Sequence, residues 1–166
     1  HSKELLKEIN KLDKTDRITL VEEIWNSIAA ESSELPLSQW QKRELSKRYN
    51  EYKSGSLKLV DPEITHKDYV QNNFGNQYTE RSAIDLETAF DWYQRQLNGL
   101  GHDFLDEVDN SLQAIIKYPE SSPIVYKEFR RSVIKRFPFS IYYTIETDII
   151  VIHSIFDSRQ DPSRLP

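Results

Sequence analysis

SPIVYKEFRRSVIKRFPFSIYYTIETDIIVIHSIFDSRQDP, residues 122–162, decides the fold. Within it Phe139, Ile141, Tyr143 and Ile145 alternate with Ser140, Tyr142 and Thr144. Period two is the mark of a strand with one buried face. Working outward, three strands are predicted at about 123–129, 132–145 and 149–157, the middle one bent near Pro138 and the last two joined by a turn at 146–148. A proline inside a strand implies an edge position or a bulge. Short sequential connections imply an antiparallel meander.

Upstream, Ala83, Leu86, Phe90, Tyr93 and Leu97 recur at helical spacing until Asn98-Gly99. Phe104, Val108, Leu112, Ile115 and Ile116 do the same until Pro119. Two helices with so short a joint pack as an antiparallel hairpin. The hairpin should cover one face of the sheet, an α+β arrangement. Residues 74–79 read weakly as a first strand, and a domain boundary is placed near residue 70, giving segments 1–70 and 71–166.

The first 70 residues read as helices. Leu5, Leu6, Ile9 and Leu12 mark one over about 3–13. A second, capped by Thr15 or Asp16, carries Ile18, Val21, Ile24, Trp25 and Ile28. Residues 31–36 form a polar linker, after which Ser38 caps a third helix that ends at Ser54-Gly55. Trp40, Leu45, Tyr49 and Tyr52 share one side of it, and Lys42, Arg43, Lys47, Arg48 and Lys53 are expected to face water. Leu57, Leu59 and Val60 follow as a short apolar run. Such narrow stripes bury too little to offset an ordering entropy of roughly 1–2 kcal/mol per residue. This half therefore needs a partner surface.

Composition bounds the chemistry. At 166 residues, 37% hydrophobic and 30% charged, the chain suits small cores with much exposed helix. Net charge is -5, so the total does not point to nucleic acid. Its distribution is uneven: residues 71–166 carry 10 basic side chains, and five of them (Lys127, Arg130, Arg131, Lys135 and Arg136) fall within ten positions. Such a cluster is either a solvated strand edge or a surface for phosphates. There is no cysteine, which excludes disulfides and thiolate zinc sites. His66 and His102 have no metal-ligand spacing, so neither a metal nor a cofactor is expected. No apolar run approaches the roughly 18–20 residues that span a bilayer, no signal peptide is visible, and a cytoplasmic protein without a membrane partner is expected. His1-Ser2 reads as a tag remnant. His153 reads as a structural strand residue. Arg159 follows the last strand, where an arginine can stabilise phosphorane charge in RNA cleavage, though no base or acid stands out beside it.

Residues 78–162 resemble the RelE/ParE superfamily of bacterial toxins. The resemblance rests on AIDLETAFDWYQRQLNGLGHDFLDEVDNSLQAI, YPESSPIVYKEFRRSVIKRFPFSIYY and VIHSIFDSRQDP. Residues 3–64, with LPLSQWQKRELSKRYNEYKSGSLKLVDPEI, are similar to small helical antitoxins of addiction modules. The order is that of an antitoxin–toxin operon read as one chain. The resemblance implies a helical antitoxin segment wrapped on the toxin domain, in cis or from a second chain, with Trp40, Leu45, Tyr49, Tyr52, Leu57 and Leu59 as contacts. It implies growth inhibition through the ribosome and its mRNA or through DNA gyrase. By position, Arg131, Arg136 and Arg159 correspond to the basic residues of the mRNA-cleaving members, and Lys127, Arg130 and Lys135 would bind the target. Asp157 stands where many relatives have His, and Gln160 where they have a second Arg. The front helices could also form a homo-oligomer that binds operator DNA.

Overall fold

The computed structural model describes residues 1–31, 36–60, 76–147 and 149–158. The elements run α1 (Ser2–Lys11), α2 (Lys14–Glu31), α3 (Gln39–Lys53), β1 (Leu59–Val60), β2 (Asn76–Thr79), α4 (Glu80–Gln96), α5 (Leu100–Lys117), β3 (Ile124–Tyr126), β4 (Phe129–Val133), β5 (Phe139–Ile145) and β6 (Ile150–Asp157). The expected boundary near residue 70 and Arg159 lie outside the described residues.

The sheet has the order β1-β2-β6-β5-β4-β3. The expected antiparallel meander forms, but from four strands, β3 to β6, rather than three. The strands expected at 123–129 and 132–145 are divided differently: a tight turn at Lys127 and Glu128 separates β3 from β4, and a corner at 134–138 separates β4 from β5. Pro138 therefore sits in a connection rather than in a strand. The sheet is also mixed, because β2 pairs parallel to β6. A parallel partner needs a long crossover, and here it comprises the α4–α5 hairpin together with β3, β4 and β5.

The hairpin follows from its punctuation. Thr79 caps α4 by accepting from the Ser82 amide. Gly99 ends the joint at φ 90°, a left-handed conformation suited to glycine. At Gly101 a Cβ would stand 2.8 Å from the Phe90 carbonyl, so the helices meet there at backbone distance. Gln94 Oε1 accepts from the Gly99 and Gly101 amides at 3.1 and 3.2 Å, so α4 supplies the cap that α5 lacks. Leu86, Tyr93, Phe104, Val108, Leu112 and Ile115 then pack on Ile141, Tyr143 and Ile152.

One expectation is overturned at the sheet. It was to bury one face, yet Ser140, Tyr142 and Thr144 are as buried as Ile141 and Tyr143, and every residue of β6 is buried. The cause is α3, which lies on the other face. Its Leu45 is wholly buried with Phe129, Tyr142 and Phe156, and Trp40 and Tyr49 pack around them. Ser38 caps α3 as expected, and Gln41 completes a capping box with it that the sequence reading did not include. After α3 the chain adds β1 antiparallel to β2, so the N-terminal segment is not wholly helical and contributes the sheet's edge strand.

The first two helices differ from their reading. Asp13, not Thr15 or Asp16, caps α2 by accepting from the Asp16 amide at 2.8 Å. Of the apolar stripe, Trp25 is buried and Ile18 half-buried, whereas Val21, Ile24 and Ile28 are exposed. No residue of α1 is buried.

Candidate functional site

The contact between α3 and the sheet is built around the edge of β6. Pairing of β2 with β6 ends at Tyr78↔Ile152. Beyond it the β6 backbone still needs partners on that side, because buried carbonyls and amides left unpaired are costly. Side chains take over from the strand. Ser82 Oγ on α4 donates to the Ile152 carbonyl at 2.7 Å. The Arg48 guanidinium on α3 donates to the His153 carbonyl at 3.0 Å. Asp85 on α4 accepts from the Ile155 amide at 3.0 Å. Arg48 and Asp85 also grip each other through two contacts, at 2.5 and 3.1 Å. The guanidinium lies 4.9 Å from the centre of the Phe156 ring, and Glu44 steadies it from within α3 at 2.9 Å.

This ion pair is nearly closed off from water: the Arg48 and Asp85 side chains are 8% and 16% exposed. Burial works against the Arg48 charge, but Asp85 and Glu44 outweigh it and hold the guanidinium above its ordinary value. Burial pushes the Asp85 carboxyl up, while Arg48, the Ile155 amide and Ser154 pull it back. The two-pronged guanidinium and the backbone amide favour the charged carboxylate, but burial is the larger influence and the net displacement is upward. Arg48 was expected to face water; it is the most engaged cation of α3.

Beside the pair lies His153. The β5–β6 register jumps between Tyr142 and Tyr143, which pair with Ser154 and Ile152, so His153 is the extra residue of a β-bulge. The bulge turns its ring toward α3, where Tyr49, Tyr52 and Phe129 surround it with centroids 5.8, 5.3 and 5.2 Å away. Its Nε2 is 2.9 Å from Thr144 Oγ1, and Nδ1 has no hydrogen-bond partner among the described residues. Burial first, then the charges of Arg48 and Lys53, push its pKa down to about 3, so the ring is neutral. At the rim, Tyr49 donates to Glu128 at 2.7 Å, Lys53 meets Glu146 at 3.2 Å and Arg81 grips Glu51 at 2.8 and 3.0 Å.

The remaining expected contacts are placed as follows. Trp40 tilts on Phe156 at 5.1 Å, Leu57 is buried after the helix, and Leu59 pairs with Thr79 in the β1–β2 ladder.

The basic cluster does not form one patch. Arg131 is buried on the α3 side, where it hydrogen-bonds Tyr142. Arg136 lies at the β4–β5 corner at φ 67° and reaches Glu22 of α2 and Asp103 of α5 at 3.5 and 3.4 Å. Arg130 donates to the carbonyls of Glu120 and Ser122 and fastens the loop after α5. Lys127 reaches Ser46 of α3 at 3.1 Å, and Lys135 is exposed. The structure thus separates Arg131 from Arg136, turning one toward α3 and the other toward α2 and α5. That corner is also where α2 docks: Trp25 Nε1 donates to the Ile134 carbonyl at 3.2 Å, and the Arg136 amide donates to Asn26 at 2.8 Å. No metal-binding cluster of His, Asp and Glu occurs among the described residues, and none of their helices is long and apolar enough to cross a membrane.

Sequence reasoning missed Arg48, Asp85 and Ser82. The available signal was faint: each stands within one turn of a core position, Leu45 for Arg48 and Leu86 for the other two. Nothing local marks two such side chains, 37 residues apart, as partners.

Two family models match the chain. Residues 77–162 match "ParE toxin of type II toxin-antitoxin system, parDE", and residues 11–63 match "Putative addiction module component". Among solved structures, the chromosomal ParDE system from P. aeruginosa is similar at 17% identity and a TM-score of 0.46, over 51% of this chain and 95% of that one. Comparison with curated proteins finds no match.

Proposed function

From a chain that belongs to the ParE toxin family and carries an addiction-module segment ahead of its toxin domain, we propose a toxin silenced by its own N-terminal half. The two halves make it a type II toxin–antitoxin module in one polypeptide. Silencing is the finer reading, and one observation carries it. The sheet face holding Arg131, Tyr142 and His153 is buried under α3 rather than open to solvent. A target that approached that face would have to displace Leu45, Tyr49 and Tyr52.

The freed toxin inhibits growth through DNA gyrase in this reading. What favours it over mRNA cleavage is the separation of Arg131 from Arg136, since a phosphoryl-transfer site needs its cations convergent on one phosphate. The test uses the whole chain. Leu45→Asp buries a charge against Phe129 and Phe156 and should loosen α3. Induction of that variant in bacteria should arrest growth, whereas the parent chain should not. Inhibited supercoiling with intact mRNA supports gyrase; cleaved mRNA on translating ribosomes supports the ribonuclease. A soluble L45D chain with lost α3 contacts and normal growth would defeat the proposal.

A further inference from the structure

The toxin half presents a cradle shaped for one chemical group. The Asp85 carboxylate offers both oxygens, at 2.5 and 3.1 Å from two guanidinium nitrogens. The His153 carbonyl offers a third acceptor at 3.0 Å, and the Phe156 ring forms a face 4.9 Å from the guanidinium carbon. A carboxylate fork, a carbonyl and an aromatic face together match a planar guanidinium, with donors in plane and a π-face above. An ammonium lacks both the fork and the plane. A phosphate would be repelled by Asp85.

All three groups belong to the toxin half, and the guanidinium that fills them belongs to the antitoxin half. From this geometry we infer that the toxin carries an arginine-receiving pocket, formed by Asp85, the His153 carbonyl and Phe156, in which Arg48 stands in for an arginine of the toxin's protein target. The inference rests on the toxin reading above and sharpens it: the partner engaging this edge is a protein rather than a nucleic acid. Two features support a receptor over a bare interface contact. Asp85 is already held by the Ile155 amide, so the acceptor is preorganised independently of Arg48. Among the described residues no strand pairs with β6 beyond Ile152 on that side, so the His153 carbonyl is met by a side chain, Arg48, rather than by a backbone partner.

Chemical rescue tests the pocket in the full chain. Arg48→Ala removes the side chain while keeping α3. Propylguanidinium should raise the melting temperature of R48A saturably, by several degrees. Propylammonium at the same concentration should not, and neither cation should act on the parent chain or on R48A/D85N beyond its general solvent effect. If R48A does not fold unaided, recovery of its native circular dichroism under the two cations is compared instead. Equal effects of the two cations, or rescue that persists in R48A/D85N, would overturn the pocket. The target is read separately, by adding Asp85→Asn to the growth-arresting L45D chain, with folding checked by circular dichroism. Restored growth supports an arginine of the target in the pocket. Arrest that survives Asp85→Asn overturns that part while leaving the rescue result standing. No arrest in L45D alone counts against the toxin reading, and the rescue experiment then decides the pocket by itself.

Discussion

Two parts of the N-terminal half share one kind of pattern and meet different fates. The third helix, α3, buries Leu45 completely, closes Arg48 in an ion pair and lays three aromatic rings on the sheet. The first two helices carry equally regular apolar stripes, yet Leu5 and Leu6 are 62% and 56% exposed, and Ile24 is 49% exposed. The difference teaches that amphipathic spacing marks a helix able to bind and does not say whether its own chain provides the surface. In this chain the grip on the toxin is concentrated in α3, with α2 adding a smaller contact through Trp25, Asn26 and Glu22 at the β4–β5 corner and Ile18 against the core.

The contrast can be broken or sharpened by measurement. Arg48→Ala should have the largest effect, because it strands a buried carboxylate; a loss of about 3–5 kcal/mol is expected from denaturant melts. Stability within about 0.5 kcal/mol of the parent would show that the pair is not needed. Leu45→Ala comes next at roughly 2–5 kcal/mol, the range for emptying a closed core position. Should it cost no more than Ile24→Ala, the two regions would not differ as described.

Acid should come third. His153 is held neutral to about pH 3 in the folded chain, against an ordinary value of 6.5. Between those limits the unfolded chain binds the extra proton, so stability rises with pH and is lost as pH falls below about 6.5. His153→Phe should flatten that limb of the melting-temperature profile, leaving the part due to carboxylates. A profile unchanged by the substitution would remove His153 as the cause. Trp25→Phe should be smaller, about 0.5–1.5 kcal/mol for the hydrogen bond to Ile134. Ile24→Ala should lie within about 0.5 kcal/mol, as exposed positions generally do.

Much of the architecture was legible because it is written in local signals. The stops at Asn98-Gly99 and Pro119, the Ser38 cap and the alternation through Phe139–Ile145 each report on their own neighbourhood. The α+β arrangement and the helix hairpin follow from them. What stayed hidden depends on distant segments. Tyr142 and Thr144 read as an outer face because the helix covering them, Gln39–Lys53, lies far earlier in the chain. Arg48 read as solvated because Asp85 is 37 residues away, on another helix. His153 read as an ordinary strand residue because a bulge appears only when two strands are laid side by side. The family resemblance reached the toxin–antitoxin pairing; the division of the basic cluster into separate contacts arises only in the folded chain, where α2, α3 and α5 meet different members of it.

The two residues of β1 have a bearing beyond their length. They occupy the outer rim of β2, whose backbone would otherwise point unpaired groups outward. Open rims invite strands from other molecules. Without the front half the domain would present that rim to its own copies and should clump at concentrations the intact chain tolerates.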